Sequence, residues 1–419
     1  MAETCCRIVD VRLDGPIEGY PSIDKASSVV FVFWLDRLPL GRVEVPAARL
    51  PITSSALAQL AAVSTAPAVA ARLNLRSGAE FDASVEALIA MDDPLAQLSA
   101  GIATAPADEL CVIVCTRGRP AHLERCLASL VRLDPAPGEI VVVGNDAPGD
   151  AGSETVVAKF PQIRFVAEPQ AGLSRARNTG IASTRKPLIA FTDDDVVVAP
   201  NWAGAVTAAF LAKDVDGMTG LVLPQAIETD GQVYFELQLE ALFKGFVPMV
   251  FGPEFLSSGG FRAPDVWMIG AGANMAFRRS TFEALGGFDV RLGAGASGCS
   301  EDSEFWYRML AAGRTIAYRP ECVVHHAHRA SNEDMERQLY AYMRGHVAAL
   351  FIQFARYGHW SNLRRAISYL PRHLARKAFS ASRQAAGSWV SRFALAELRG
   401  CLAGLNLSYF SHRAPPRID

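Results

Sequence analysis

Apolar residues recur along this chain in two rhythms. In the first hundred residues they form short runs, Arg7–Leu13, Ser28–Leu35 and Gly41–Val45, rich in Val, Ile and Phe and punctuated by Gly, Pro and Asp. Runs of that kind predict strands. The alanine-rich stretch Ser54–Leu73 predicts a helix. Residues 1–107 therefore read as a β-rich accessory module in which no nucleophile is paired with a base and no ligands cluster. Ala100–Asp108, made of small residues and proline, reads as a linker.

From Glu109 the rhythm alternates. Cys111–Cys115, Ile140–Val143, Ile163–Ala167, Leu188–Phe191 and Met218–Leu223 predict strands. Between them, Pro120 opens a helix whose apolar face is Leu123, Cys126, Leu127, Leu130 and Val131, and Gly172–Ala182 predicts another. The fold class is α/β, a mainly parallel sheet with helices on both faces, over residues 108–334. Such sheets bind ligands at the carboxyl ends of their strands. Thr116–Arg119, Asn145-Asp146 and Asp193–Asp195 all fall at those ends.

Residues 335–419 read as helical. Met335, Leu339, Tyr342, Met343, His346, Val347, Leu350, Phe351 and Phe354 make one apolar face at helical spacing. Met335–Arg413 carries twelve arginines and lysines against two acidic residues, with Trp360, Tyr369, Trp389 and Phe393 among them. Basic amphipathic helices with aromatics suggest contact with an anionic membrane surface. The alternative is an apolar face packed on protein with solvated arginines.

The chain's 419 residues suffice for two or three domains, and a net charge of −2 argues against a nucleic-acid partner. The eight cysteines form no CxxC pair and read as reduced core residues. No secretory h-region is visible, and no window approaches the ~18 apolar residues of a spanning helix. The expected place is cytoplasmic, peripheral at the inner face of the cell membrane.

The densest chemistry lies in LIAFTDDDVVVAPNW, Leu188–Trp202. Side chains alternate in extended backbone, so Asp193 and Asp195 point to one side and suit Mg²⁺ or Mn²⁺. The alternative is an acidic turn capping the helix that begins near Pro200 and Asn201. Arg117, Arg119, Arg175 and Arg177 are available for phosphate. No GxGxxG follows the first strand of this alternation, and no Walker lysine motif occurs anywhere. In WMIGAGANMAFRR, Trp267–Arg279, the glycines Gly270 and Gly272 with Asn274 let backbone approach a ligand, or simply form a tight turn. Ser300 reads as the N-cap of a helix bearing Glu301, Asp302 and Glu304, after a Gly-rich loop, Gly293–Gly298, flexible enough to close over a ligand. VVHHAHR places His325, His326 and His328 together after a short strand, a candidate ligand group.

In order, CTRGRP, GLSRARNTGIA, FTDDDV, GANMAFRR, GGFD, SEDSEFWYRML and VVHHAHR resemble glycosyltransferase family 2 with the GT-A fold, over about Leu110–Arg329. The resemblance implies inverting transfer from a nucleotide-diphosphate sugar to a glycan or lipid-linked acceptor, with Mn²⁺ or Mg²⁺. It makes Asp193 and Asp195 the DxD pair and Asp302 the general base, supported by Glu301. One of His325, His326 and His328 becomes a further metal or diphosphate contact. The implied donor-binding set is Thr116, Arg117, Arg119, Asn145, Asp146, Arg175, Arg177, Asp193 and Asp194, with Trp267, Gly270, Gly272 and Asn274 as a donor and acceptor loop. Gly144-Asn145-Asp146 departs from the Asp-Asn or Asp-Gly turn common in the family. The alternatives are a nucleotidyltransferase, which needs a Gly-rich triphosphate loop that Thr116–Arg119 lacks, and a non-catalytic glycan-binding relative.

Overall fold

A computed structural model describes residues 5–73, 93–99, 104–145, 151–238, 243–384 and 388–410. The smaller of its two sheets joins β1 (Cys6–Arg12), β2 (Ser28–Leu35) and β3 (Leu38–Pro46) in that order. β1 runs parallel to β2, while β2 and β3 form an antiparallel hairpin. β2 is buried along its whole length because both of its faces are covered. Val29, Phe31 and Phe33 meet Leu57 and Ala61 of the helix Ser54–Arg72. Val30, Val32 and Trp34 share a core with Leu221, Leu223 and Val323 of the larger sheet.

Two expectations change in this region. The helix Ser54–Arg72 is long and apolar enough to cross a membrane by length and composition, which the sequence pattern had not suggested. Leu57, Ala61, Ala68 and Val69 on it are nonetheless buried against protein. The expected linker, where described, is core: Ala105 and Ala107 are buried, and Ala107 O accepts the N–H groups of Leu110 and Gly138. Small residues stand there because they pack beneath the sheet.

The larger sheet has nine strands in the order β10-β12-β9-β11-β7-β4-β5-β6, with β8 on β12. They are β4 (Leu110–Thr116), β5 (Glu139–Gly144), β6 (Arg164–Ala167), β7 (Leu188–Asp193), β8 (Val196–Val198), β9 (Gly217–Pro224), β10 (Met249–Phe251), β11 (Asn274–Arg278) and β12 (Ile316–His326). β4 to β7, β9 and β12 run one way; β8, β10 and β11 run against them. The α/β class and mostly parallel sheet are as expected. β4 is apolar throughout because it is sandwiched. Val112 and Val114 meet one helical layer (Pro120–Leu130 and Trp202–Ala209), and Cys111 and Ile113 the other (Leu173–Ser183 and Glu301–Ala311).

Asn274, fully buried at the start of β11, ties the sheet's centre together. The pairing of β12 with β9 slips between Arg319 and Val323, and the Asn274 amide fills that gap. Its Nδ2 donates to Leu221 O at 2.9 Å and Cys322 O at 2.8 Å, and its Oδ1 accepts from Trp202 Nε1 at 3.0 Å.

C-terminal to the sheet, the helix Asn332–Tyr357 buries its apolar face rather than presenting it. Met335 and Leu339 pack with Phe393 and Ala396 of the helix Trp389–Gly404, and Val347, Leu350 and Phe351 with Leu370, Leu374 and Cys401.

Replacing Asn274 with Ala strands two carbonyls and an indole N–H in the core. At about 1–3 kcal/mol per buried unsatisfied group, stability should fall by roughly 3 kcal/mol or more. Urea unfolding followed by circular dichroism reads this directly, and an unmoved midpoint would refute the hub.

Candidate active site

Parallel strands end on one edge, so β4, β5, β7 and β12 deliver Thr116, Asn145, Asp193 and His326 to the same rim. β11 runs the other way and enters from that rim, which carries Gly270 and Gly272 to it.

Asp193 ends β7, and Asp194 and Asp195 form the turn into β8, which separates the three aspartates. Asp193, Asp195 and His326 each offer a ligand atom, all within 4.8 Å of one another. Asp194 turns away into the protein, accepting from Thr116 Oγ1 at 2.7 Å and Arg119 Nη1 at 3.0 Å. The same Arg119 nitrogen donates to Asp195 Oδ2 at 2.7 Å. Burial pushes the Asp194 carboxyl up to about 6 against the pull of Arg119. Burial also raises Asp195, but His326 and Arg119 outweigh it and hold that carboxyl below the usual carboxylate range. Asp195 Oδ1 is buried without a hydrogen-bond partner. His326 Nε2 lies 3.3 Å away, near enough for an ion pair but outside hydrogen-bond geometry. Two carboxylates and an imidazole around such an oxygen fit a divalent cation such as Mn²⁺.

Across the rim stands Arg177, buried in the helix Leu173–Ser183. It donates to Glu301 Oε1 at 2.7 Å, Gly272 O at 3.2 Å and Asp193 Oδ1 at 3.4 Å. Glu301 is buried as well, and burial raises its carboxyl to about 7 despite Arg177. Asp302, the next residue, is half-buried. Its Oδ1 accepts from Ser303 N–H at 2.6 Å and Ser303 Oγ at 3.2 Å, and no described donor is bonded to Oδ2. Gly272 makes room for this pair: a Cβ there would lie 2.9 Å from Asp302 Oδ2 and 3.0 Å from Arg177 Nη2.

The structure thus gathers Thr116, Arg119, Arg177, Asp193, Asp194, Asp195, Gly272, Glu301, Asp302 and His326. Arg117 is exposed at the mouth and Arg175 half-buried on the first helical turn beyond it. Other expected residues are engaged elsewhere. Both Nδ2 hydrogens of Asn145 hold Glu168 O and Gln170 O at 2.8 Å, and its Oδ1 accepts from Gly172 N–H, so its side chain braces a loop. Asp146 lies outside the described residues. Asn274 is the core hub above. Trp267 is partly exposed, with Nε1 on Asp265 Oδ1 at 3.1 Å and Lys244 Nζ 4.7 Å over its ring. His325 points to the opposite face of β12 from His326, because neighbours on a strand alternate. His328 bonds the other ring nitrogen of His326 instead of joining the ligand group. The Gly293–Gly298 loop is tied down, Ala294 O accepting from Leu173 N–H and Ala296 O from Arg344. Ser300 does begin its helix, in left-handed backbone and without a side-chain cap. Glu236 and Arg42, beyond His328, carried no sequence signal: one is a lone acid in YFELQ and the other a polar position on a strand.

In an open α/β sheet this rim, at the carboxyl ends of the strands, is where ligands bind. Residues 111–286 match the family model for glycosyl transferase family 2, and the chain carries a domain of that glycosyltransferase family. The chain is 25% identical over 231 residues to the pre-mycofactocin glycosyltransferase of Mycobacterium tuberculosis, covering 54% of this chain and 44% of that one. It is 29% identical over 223 residues to the succinoglycan biosynthesis protein ExoM of Rhizobium meliloti, covering 51% and 64%. To the N-acetylglucosaminyl-diphospho-decaprenol L-rhamnosyltransferase of M. tuberculosis it is 27% identical over 257 residues, covering 56% and 81%. The chain thus spans less than two thirds of the first two of these relatives. A Pyrobaculum calidifontis mannosyltransferase solved with GDP-Man and Mn²⁺ is 16% identical over 72% of this chain and 89% of that one, and its TM-score of 0.49 is too low to bear on function.

Arg177→Met should leave Glu301 buried without its counter-charge. Breaking a buried pair from one side costs about 3–5 kcal/mol, which denaturant unfolding at neutral pH will register. Stability equal to the parent's would show that Arg177 does not hold Glu301.

Proposed function

We propose that this chain transfers a sugar from a nucleotide-diphosphate sugar to a hydroxyl of a glycan or lipid-linked acceptor, with inversion at the anomeric carbon. The observation that carries the reading is the contrast between neighbouring carboxylates. Each keeps one unbonded oxygen, but that of Glu301 is buried behind its ion pair with Arg177, whereas Asp302 is half-buried with its free oxygen beside Gly272. Of the two, Asp302 is the one that an acceptor hydroxyl can reach. The lipid-linked form of the acceptor is favoured by the decaprenol-linked substrate in one relative's name.

In this mechanism Asp302 Oδ2 removes the acceptor hydroxyl's proton as that oxygen attacks C1, and the nucleoside diphosphate leaves from the opposite face. Glu301 and Arg177 keep Asp302 and the Gly272 backbone in place. Arg117 and Arg175, at the mouth, offer donors to diphosphate oxygens. Asp193, Asp195 and His326 would hold a divalent cation, which when bound supplies charge stabilisation to the leaving diphosphate.

We also assign the C-terminal segment 360–384 to an anionic membrane surface. Trp360, Ile367 and Phe379 are 72%, 56% and 64% exposed there. Arg364, Arg372, Arg376 and Arg383 are exposed alongside them. Arg365, by contrast, is buried against Asp265 and Ala263 O.

Asp302→Asn should still bind donor nucleotide but transfer sugar roughly 10²–10⁴-fold more slowly, as expected for loss of a general base. EDTA should abolish transfer by the parent, with Mn²⁺ restoring it. Near-parental turnover by Asp302→Asn would remove the base assignment, and full turnover in EDTA the cation.

Replacing Arg364, Arg372, Arg376 and Arg383 with Gln should release the protein from phosphatidylglycerol vesicles, at about 1 kcal/mol per arginine. Co-sedimentation at low salt measures this. Failure of the parent to sediment would end the membrane assignment.

A further inference from the structure

A line of buried hydrogen bonds leads from the acidic cluster to the N-terminal sheet. His326 Nδ1 and His328 Nδ1 lie 3.0 Å apart. His328 Nε2 lies 3.0 Å from Glu236 Oε2. The other Glu236 oxygen, Oε1, accepts from Arg42 Nη1 on β3. Glu236 has no exposed surface and His328 almost none, while Phe235 stacks edge-on to His328 at 4.9 Å. Gln232 Nε2 donates to His328 O at 3.1 Å, so the segment around Glu236 is fastened to the end of β12 from two sides. Arg42 is held in turn, its guanidinium 3.5 Å over the Phe243 ring.

The chemistry of each group sets the direction of these bonds. Arg42 only donates, and the Glu236 carboxylate only accepts. His328 must therefore donate from Nε2, which leaves its Nδ1 as the lone-pair nitrogen. That nitrogen accepts from His326 Nδ1–H. In the neutral form that a cation ligand must take, His326 is then left with a bare Nε2, the atom that faces Asp195 Oδ1. A lone pair opposite an unbonded carboxylate oxygen is an arrangement that a cation completes.

We propose that Glu236 and Arg42 are positioning residues, fixing both histidine tautomers so that His326 Nε2 is presented as a cation ligand. The inference rests on the cation site proposed above. It gives the N-terminal sheet a part in that site, since Arg42 of β3 is the ion-pair partner of the fully buried Glu236. Substituting Glu236 with Gln reverses the direction. Arg42 then takes the amide oxygen, the amide NH₂ faces His328 Nε2, and the relay runs backwards to leave a proton on His326 Nε2.

The test is the Mn²⁺ dissociation constant of the full chain, read from the loss of the free Mn²⁺ electron paramagnetic resonance signal, with near-UV circular dichroism as the check on folding. Glu236→Gln and Arg42→Met should each weaken binding about 10–100-fold, the range for lost outer-sphere partners of a metal-bound histidine. Arg42→Lys, which keeps the charge, should recover most of that loss. Asp195→Asn is the control for the site itself and should abolish binding. If Asp195→Asn abolishes binding but folded Glu236→Gln and Arg42→Met stay within threefold of the parent, the relay is wrong and the cation site stands. Should Glu236→Gln not fold, Arg42→Met against Arg42→Lys decides the matter alone. If the parent binds no Mn²⁺, or Asp195→Asn binds it as the parent does, both the site and the relay fall.

Discussion

Like charge crowded at the end of β7 is the constraint around which the rest is arranged. Asp193, Asp194 and Asp195 are consecutive, two of them buried, and Glu301 comes up beside them from another helix. Carboxylates that close, out of water, repel one another and disfavour ionisation. Two arginines answer this by division: Arg119 spans Asp194 and Asp195, and Arg177 spans Asp193 and Glu301. Arg119 stands at the start of one helix and Arg177 inside another, so satisfying the charge fixes those helices against the sheet. The Gly272 backbone is drawn in by the same guanidinium that holds Glu301.

Much of this was legible in the sequence, and for physical reasons. Buried parallel strands must be continuous apolar runs, so β4, β5, β7 and β9 announced themselves. Alternation along extended backbone anticipated the split of Asp193 and Asp195 from Asp194, although the turn between β7 and β8 is what produces it. What stayed hidden depends on partners distant in sequence. Asn145 and Asn274 looked like ligand-facing polar residues beside glycines, yet each amide is consumed by carbonyls that irregular pairing leaves open. His325, His326 and His328 were indistinguishable as letters; only the strand's twofold alternation and Glu236 separate them. The apolar face of Asn332–Tyr357 was read correctly as a face, but periodicity does not say what covers it.

The two sheets are more dependent on each other than their compositions suggested. β2 is buried because the larger sheet supplies half of its surroundings, and Arg72 crosses to Glu321 at 2.9 Å. A module whose central strand is apolar on both faces cannot expose one of them without a large hydrophobic penalty. The N-terminal region therefore behaves as a wall of the catalytic sheet, and its Arg42 arrives at Glu236 already aligned.

The strand order carries a practical corollary for anyone dividing the chain. The segment matched by the family model, 111–286, ends before β12, although β12 lies between β10 and β9 in space. A fragment trimmed to that segment would strip β9 of its parallel neighbour and leave a bare row of N–H and C=O groups along an apolar strand. Open edges of that sort recruit other chains. Such a fragment would be expected to self-associate through β9, and the sequence boundary of the family signature would be a poor guide to where the molecule can be cut.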